Sequence, residues 1–357
     1  MNLGYFNMPL HPPGSNHTKT YEGDIDQIVF LDKLGFDEAW IGEHFTAEWE
    51  NIPAPDIFIS YLFAITKSIK LGTGVNCLTN HNPFVLAHRI AQIDHMSKGR
   101  FLWGIGSGGF IGDLKLFRHD VQSGTNRQMT KESLDLIFQI WNDPKPGIYK
   151  SKWWEIEIPE EDKEIGLRTH LKPFQKPHPP IGVAGVSANS ETLKIAGANE
   201  WLPLSINFAH VNILKTHWNS IEKGAKEANK IPNRLNWRIS REIIVSESRK
   251  EAKKEITEGV ISRDFEEYFL KMLPKYSSLD VLKNDPNMPD SDVDIKYLMD
   301  NIFIYGTPSD VLEKIQELNY SVGGFGTLLA MGHEWNNESF WKNSMTLLKN
   351  EILPKIN

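Results

Sequence analysis

The segment from Asp94 to Gly109 reads Asp-His-Met-Ser-Lys-Gly-Arg-Phe-Leu-Trp-Gly-Ile-Gly-Ser-Gly-Gly. Gly99 can adopt the left-handed backbone conformation that ends a helix, and a buried strand is predicted to begin at Arg100. Four glycines follow between positions 104 and 109, and their lack of a side chain lets the backbone approach another group closely. The segment therefore predicts a helix, a turn, a strand and a ligand-binding loop in immediate succession.

The glycines of this loop also match a dinucleotide-binding fingerprint. Gly104, Gly106 and Gly109 satisfy G-x-G-x-x-G, which requires a strand before it and a helix directly after it. Gly112 interrupts the residues that follow, and the next sustained helical pattern begins only around Gln128. The context therefore disfavours an open sheet that binds a nicotinamide dinucleotide.

Strand and helix patterns alternate along the chain. Apolar runs predict strands at residues 3–8, 37–45, 69–75, 100–106, 181–186, 201–206, 237–245 and 326–331, and a further short run ends at Tyr305. Because these runs are continuous and do not alternate with polar residues, both faces of each strand are expected to be buried, as in a parallel sheet. Strand–helix pairs in this order predict an α/β fold, a (β/α)8 TIM barrel in which residues 1–357 form one domain.

Two segments break this alternation. Residues 145–180 are rich in Trp, Pro and charged side chains, and residues 271–300 contain several Pro and Asp. Connections longer than about 15 residues without evident structure are commonly lids or mobile segments. We therefore predict two insertions, of which the second is the better candidate for a mobile lid.

Composition limits the classes of partner. The chain has 39 Lys and Arg against 46 Asp and Glu, a formal net charge of −7 that attracts neither nucleic acid nor an anionic membrane. The single cysteine, Cys77, excludes an internal disulfide framework, and the N-terminal residues do not resemble a secretory signal. The 12 histidines show no H-E-x-x-H motif, so no metal site is expected. We predict a cytoplasmic protein whose partners are small molecules or a second copy of the chain.

In a barrel of this type the active site lies at the carboxyl ends of the strands. The predicted strand ends carry polar residues and glycines in four places, namely Glu43-His44, Gly74-Val75-Asn76, Gly106-Ser107 and Gly185-Val186-Ser187. These positions are therefore the candidate site residues.

Several of these motifs resemble one known family. Residues 40–46 (Trp-Ile-Gly-Glu-His-Phe-Thr), 71–74 (Leu-Gly-Thr-Gly), 94–106 and 174–181 are similar to segments of the bacterial luciferase-like, flavin-dependent monooxygenases. The resemblance covers most of the chain and weakens across residues 143–172 and 250–296. It implies a barrel that binds reduced FMN from a separate flavin reductase, forms a flavin hydroperoxide with O2 and oxygenates a small apolar substrate. It also implies a homodimer.

The resemblance places His44 where the family has its active-site histidine. An imidazole can donate or accept a proton near neutral pH, whereas the alternative is an inert polar residue at a strand end. Glu43 is predicted either to orient His44 or to form a buried ion pair.

Phosphate binding is expected at a helix N-terminus. Gly185, Val186 and Ser187 lead into a predicted helix, and Ser190 can both cap that helix and contribute a hydroxyl. Arg127 matches a family arginine that reaches the phosphate, and otherwise it is a solvated residue at a helix start.

The flavin ring is expected beside the third and fourth strands. The Gly74–Val75 bond aligns with a family position that has a non-proline cis peptide under the ring, and Asn76 is placed to bond its pyrimidine edge or to serve structure alone. Gly106 and Ser107 stand where luciferase has a reactive cysteine and an arginine. These departures from luciferase predict weak flavin binding and argue against light emission and the use of long-chain aldehydes.

Two other functions remain open at the level of sequence. One is a hydride-transfer oxidoreductase that uses a deazaflavin without oxygen, and the other is a non-catalytic flavin-binding protein.

Overall fold

The computed structural model describes residues 1–8, 10–119, 124–276 and 279–356. In chain order its strands are β1 (Asn2–Asn7), β2 (Glu38–Ile41), β3 (Lys70–Thr73), β4 (Asn76–Cys77), β5 (Phe101–Gly106), β6 (Gly147–Lys150), β7 (Glu155–Ile158), β8 (Ile181–Gly185), β9 (Leu202–Ser205), β10 (Arg238–Arg241), β11 (Ile243–Val245), β12 (Ile304–Gly306) and β13 (Thr327–Gly332). Eight of them pair in parallel in the order β3-β2-β1-β13-β10-β9-β8-β5, and a β3–β5 pairing closes the ring. The predicted (β/α)8 barrel is confirmed.

The helices surround this ring. They are α1 (His17–Leu34), α2 (Pro55–Ile65), α3 (Pro83–Ser97), α4 (Ile111–Leu116), α5 (Thr125–Trp141), α6 (Glu191–Asn199), α7 (Val211–Glu227), α8 (Arg249–Glu258), α9 (Val260–Asp264), α10 (Leu270–Tyr276), α11 (Ile295–Asn301), α12 (Pro308–Val322), α13 (Glu338–Leu347) and α14 (Leu353–Ile356). A π-helical turn, Phe265–Phe269, joins α9 to α10, and a second, Leu348–Ile352, joins α13 to α14. Among the described residues, no helix has both the length and the apolar character needed to cross a membrane.

Helix ends follow the local signals of the sequence. Thr307 and Asp310 form a reciprocal capping box at the start of α12, with Pro308 in the first turn. Gly99 adopts a φ of 83°, as its position after α3 predicts, and Lys98 before it is also left-handed. These caps satisfy backbone groups that a helix end otherwise leaves unpaired.

One tryptophan fills the inside of the barrel. The Trp40 indole donates to Glu38 (2.9 Å), and Glu38 also accepts two hydrogen bonds from Arg238. A Cβ added at Gly72 or Gly182 would lie 2.5 or 2.6 Å from the Trp40 ring. These strand positions must therefore be glycine, because the indole occupies the space of their side chains.

The predicted strand at 237–245 divides at Glu242, so only β10 belongs to the barrel. Its continuation, β11, pairs with β12, which is the apolar run that ends near Tyr305. The expectation of a single strand is therefore wrong. The sequence does not mark the division, because both halves are buried and no Gly or Pro separates them.

The absence of a helix after the glycine loop is also wrong, because α4 begins at Ile111. Gly112 does not interrupt the helix but allows α4 to pack. A Cβ at this position would lie 2.1 Å from the Thr46 hydroxyl oxygen, so only glycine brings α4 against the residues that follow β2.

Both predicted insertions contain regular structure. The first includes the antiparallel hairpin β6–β7. The second, residues 271–300, includes α11, and its Leu282 and Leu298 are fully buried. Residues 277 and 278 of this segment lie outside the described residues. The lid interpretation stays a prediction, although such buried leucines are typical of a packed segment.

Candidate active site

The carboxyl ends of β2, β3 and β5 bring the central candidate residues together. His44 lies three residues after β2, Asn76 begins β4 just after β3, and Gly106 ends β5. Because neighbouring parallel strands end at one rim, residues far apart in sequence meet there.

His44 lies between two carboxylates. Its Nδ1 is 3.2 Å from Oδ2 of Asp113 on α4, and its Nε2 is 3.3 Å from Oε2 of Glu50. The imidazole side chain is 22% exposed, whereas both carboxylate side chains are nearly inaccessible. The ring of Phe110 contacts the imidazole edge to face, with centroids 5.0 Å apart. His44 is thus a partly exposed imidazole with a carboxylate at each ring nitrogen.

The two carboxylates differ in how they are held. Oδ1 of Asp113 accepts bonds from the backbone amides of Phe45 and Thr46 and from the Thr46 hydroxyl. Burial alone would raise the pKa of Asp113, but His44 and these donors outweigh it and lower the pKa. Glu50 accepts one bond at Oε1 from Tyr268 (2.6 Å), and burial raises its pKa. Asp113 is therefore the firmly ionised partner.

These carboxylates change the acidity of His44. Burial alone would lower the pKa of the imidazole, but the negative charges of Glu50 and Asp113 outweigh that effect, and the pKa is raised. His44 therefore carries a proton to higher pH than an exposed histidine does.

Glu43 faces away from this group. Its oxygens accept bonds from Asn76 Nδ2 (3.0 Å) and the Cys77 amide (3.2 Å), and one of them lies 3.0 Å from His81 Nε2. Glu43 thus holds the residues after β3 in place. The geometry favours the buried structural pair over a catalytic group that orients His44.

The floor of the mouth between β3 and β5 is formed by backbone. The Gly74–Val75 peptide is cis, as the resemblance implied. A Cβ at Gly106 would lie 2.6 Å from Val75 Cγ2, so the two strands approach closely only with glycine there. Asn76 is buried, and its Oδ1 has no hydrogen-bond partner among the described residues. A flat floor beside an unpaired acceptor fits a planar ring that has an N–H at its edge, as a flavin does.

The predicted phosphate residues form a second group. Ser190 is the N-cap of α6 and accepts from the Leu193 amide (3.3 Å), while Val186 and Ser187 are exposed. Gly185 is enclosed by the Leu193 side chain, which would be 2.4 Å from a Cβ. The residues that lead into α6 are therefore exposed at Val186 and Ser187, whereas the Leu193 amide is already capped by Ser190.

His217 fixes the backbone at this second group. Its Nε2 lies 3.1 Å from the Ser187 carbonyl oxygen, and its Nδ1 lies 2.9 Å from Ser205 Oγ. Burial lowers the pKa of His217 to about 4, so the ring is neutral at pH 7. Sequence reasoning did not identify this support.

Arg127 lies in the first turn of α5 and is exposed. Its neighbour Asn126 donates to the carbonyl oxygens of Ser107 (3.3 Å) and Gly108 (3.2 Å). The start of α5 is therefore bound to the glycine loop, which brings Arg127 to the same rim as Ser107.

The structure thus adds Asp113, Glu50 and Tyr268 to the candidate site. Asp113 had a weak signal, an acidic residue directly after a glycine-rich loop. Glu50 and Tyr268 are 218 residues apart in sequence, and no local pattern connects them. Among the described residues, no group of three or more His, Cys, Asp or Glu is arranged to hold a metal ion.

A closed parallel barrel whose mouth carries a histidine between two carboxylates, beside a glycine-lined cis peptide, has the architecture of TIM-barrel enzymes. The model of the luciferase-like monooxygenase family matches residues 1–324, and the chain belongs to that family. This match confirms the predicted family of monooxygenases. The predicted cofactor agrees with a solved relative that is described in complex with FMN.

Two monooxygenases and one solved structure are similar to this chain over nearly its whole length. The chain is 31% identical to 3,6-diketocamphane 1,6-monooxygenase of Pseudomonas putida over 100% of this chain and 98% of that protein. It is 27% identical to limonene 1,2-monooxygenase of Rhodococcus erythropolis, over 100% of this chain and 87% of the relative. A solved structure of the oxygenating constituent of 3,6-diketocamphane monooxygenase from Pseudomonas putida, in complex with FMN, has a TM-score of 0.92. It is 30% identical, and the match covers 99% and 98% of the two chains.

Proposed function

We propose that this protein is the oxygenase component of a two-component system, which takes reduced FMN from a separate flavin reductase and oxygenates a small cyclic ketone or alkene. The observation that carries the proposal is the His44 group beside a flat floor with the unpaired Asn76 oxygen. Relatives that act on diketocamphane and limonene support a compact apolar substrate. A solved relative described as an oxygenating constituent supports the separate reductase.

Different residues of the chain would bind different parts of the flavin. Asn76 Oδ1 would accept from the edge of the flavin ring, and Gly74, Val75 and Gly106 would form the surface beneath it. The phosphate would lie at Ser187 and Ser190, at the N-terminus of α6, with Arg127 as the cation at the rim. When bound, reduced FMN supplies the electrons that activate dioxygen.

His44 would hold or release a proton at the oxygen being transferred. Aromatic side chains surround it, since Phe110 contacts the imidazole, and Phe45 packs on Phe117 with centroids 5.1 Å apart. Such walls exclude water and suit an apolar substrate.

We also propose that two copies of the chain associate through α2. Ile57, Tyr61 and Ile65 are 68%, 57% and 44% exposed and recur every fourth residue, which places them on one face of the helix. An exposed apolar stripe of this kind is typical of a contact surface, and two-fold dimers are the commonest assembly.

The proposal further includes a cytoplasmic location, supported by the free thiol of Cys77, and a single domain over residues 1–357.

The test supplies the purified protein with reduced FMN, 18O2 and either a camphane diketone or limonene, and analyses the products by mass spectrometry. One atom of 18O per product molecule is expected. Product formed under strict anaerobiosis would instead favour the deazaflavin alternative.

The role of His44 is tested in the same assay. The His44→Ala variant should lose about 100-fold or more in turnover, because a general acid–base group commonly contributes that much. The exposed His170 provides the matched control, and His170→Ala should keep the original rate. Unchanged turnover in His44→Ala would favour the non-catalytic alternative for this residue.

A further inference from the structure

The proposed role of His44 does not by itself explain why the Glu50 carboxylate is buried beside it. Glu50 is 3% exposed, and its Oε2 makes no well-aligned hydrogen bond within the described part of the chain. That same oxygen lies 3.3 Å from Nε2 of His44. An unpaired buried carboxylate oxygen is unfavourable unless a proton or a cation is shared with it.

The other oxygen of Glu50 is fixed from a distant part of the chain. Tyr268, in the π-helical turn Phe265–Phe269, donates its hydroxyl to Oε1 at 2.6 Å. Its ring stacks on Trp49, the residue next to Glu50, with centroids 5.5 Å apart and planes within 16°. The stack and the hydrogen bond together leave Glu50 little freedom to turn away from His44.

The other ring nitrogen of His44, Nδ1, already has a carboxylate partner. Nδ1 faces Asp113, whose other oxygen is held by three donors, so Asp113 is a fixed anion that requires a proton on Nδ1. Nε2 is therefore the nitrogen whose protonation can change, and Glu50 is the group that faces it.

We infer that Glu50 is a positioning residue for His44: it keeps a proton available at Nε2 of the imidazole, and Tyr268 fixes it in that place. A transfer of this proton from Nε2 to Oε2 leaves a neutral imidazole and a neutral carboxylic acid, so the pair changes neither its total charge nor its proton count. The inference rests on the proposed function in one respect, since His44 must act as the acid–base group of the oxygenase.

Among the described residues, two further carboxylates and one hydroxyl have the largest effects on this pair. Glu50, Asp113 and Glu43 act on His44, and His44, Tyr268 and Asp113 act on Glu50. Removing the charge of Glu50 leaves His44 with the unfavourable effect of burial and with Asp113 as its adjacent anion. The pKa of His44 should then fall.

The first test measures this pKa directly in the flavin-free protein, by NMR titration of 13C-labelled histidine with the His44 signal assigned from His44→Gln. In Glu50→Gln the pKa of His44 should fall below that of the original protein. In Tyr268→Phe it should fall less, because Glu50 without its hydroxyl donor becomes easier to protonate. Glu48 is two residues from Glu50 and exposed, and Glu48→Gln should leave the His44 titration unchanged.

The second test follows kcat against pH with reduced FMN and substrate. Glu50→Gln should lower kcat by about tenfold or more at pH 8 and shift the basic limb of the profile to lower pH. Glu50→Asp keeps the charge and should restore part of both effects. An unchanged His44 titration in Glu50→Gln would overturn the inference even if the original protein oxygenates its substrate. The expected NMR shift without any oxygenation would overturn the proposed function and leave the pairing of Glu50 with His44 supported.

Discussion

At the scale of single residues, histidines in this protein have pKa values shifted in two opposite directions. His44 and His333 are each placed between two carboxylates and are stabilised as cations, whereas His217 lies between a hydroxyl and a carbonyl oxygen and stays neutral. The difference lies in the neighbours, because burial by itself disfavours the charged form in all three. The same side chain therefore has a raised pKa between carboxylates and a lowered pKa between neutral partners.

His333 leads to a prediction about stability. Its Nδ1 lies 2.7 Å from Asp264 and its Nε2 lies 3.0 Å from Glu242. Burial alone would lower the pKa of His333, but these carboxylates outweigh it and raise the pKa to about 9. A raised folded-state pKa stabilises the protein fully below the ordinary value of 6.5, and this stabilisation is lost as pH rises through about 9.

We therefore expect the free energy of unfolding in urea to decrease between pH 6.5 and pH 9.5, by on the order of 3 kcal/mol from this group. In His333→Gln this part of the pH dependence should be absent. Equal slopes for the two proteins over this range would contradict the prediction.

At the scale of elements, α4 connects the glycine loop to the acid–base group. It carries Asp113, and it approaches the residues after β2 only because Gly112 has no side chain. A short helix thus positions a carboxylate that the barrel strands themselves do not provide.

This packing predicts the effect of two alanine substitutions. Gly112→Ala should destabilise the protein by about 1 to 3 kcal/mol, because its Cβ would overlap the Thr46 hydroxyl and displace Asp113 from His44. At Gly109, three residues earlier, a Cβ would meet nothing within 4 Å. Gly109→Ala should therefore unfold at nearly the original urea concentration. If both variants unfold together, the close approach at Gly112 does not stabilise the fold.

At the scale of the whole molecule, the apolar stripe on α2 predicts that two copies of the chain form a dimer. Tyr61→Glu places a charge in the middle of the stripe and should convert a dimer into a monomer, as measured by light scattering after size-exclusion chromatography. Tyr320, on α12, is 89% exposed and provides the control, since Tyr320→Glu should keep the dimer. A dimer that survives Tyr61→Glu would exclude this face as the contact.

The sequence predicts the barrel better than it predicts the contacts around it. Most positions of the barrel's eight strands are buried, and the alternation of predicted strands and helices along the chain is sufficient to predict the fold class. His44, Asn76 and the cis bond at Gly74–Val75 were identified because their motifs resemble a family. The division of the strand at Glu242 and the presence of α4 were missed, because glycine and apolar signals do not show what packs against them.

The sequence by itself determined the barrel, the family and the position of the histidine, since local periodicity and contiguous motifs encode all three. Only the tertiary structure decided that Glu43 supports the loop after β3, that Asp113 and Glu50 hold His44, and that Tyr268 holds Glu50. The reason is physical: the pKa of a buried group depends on charges within a few ångströms, and the chain places those charges there from positions as many as 218 residues away.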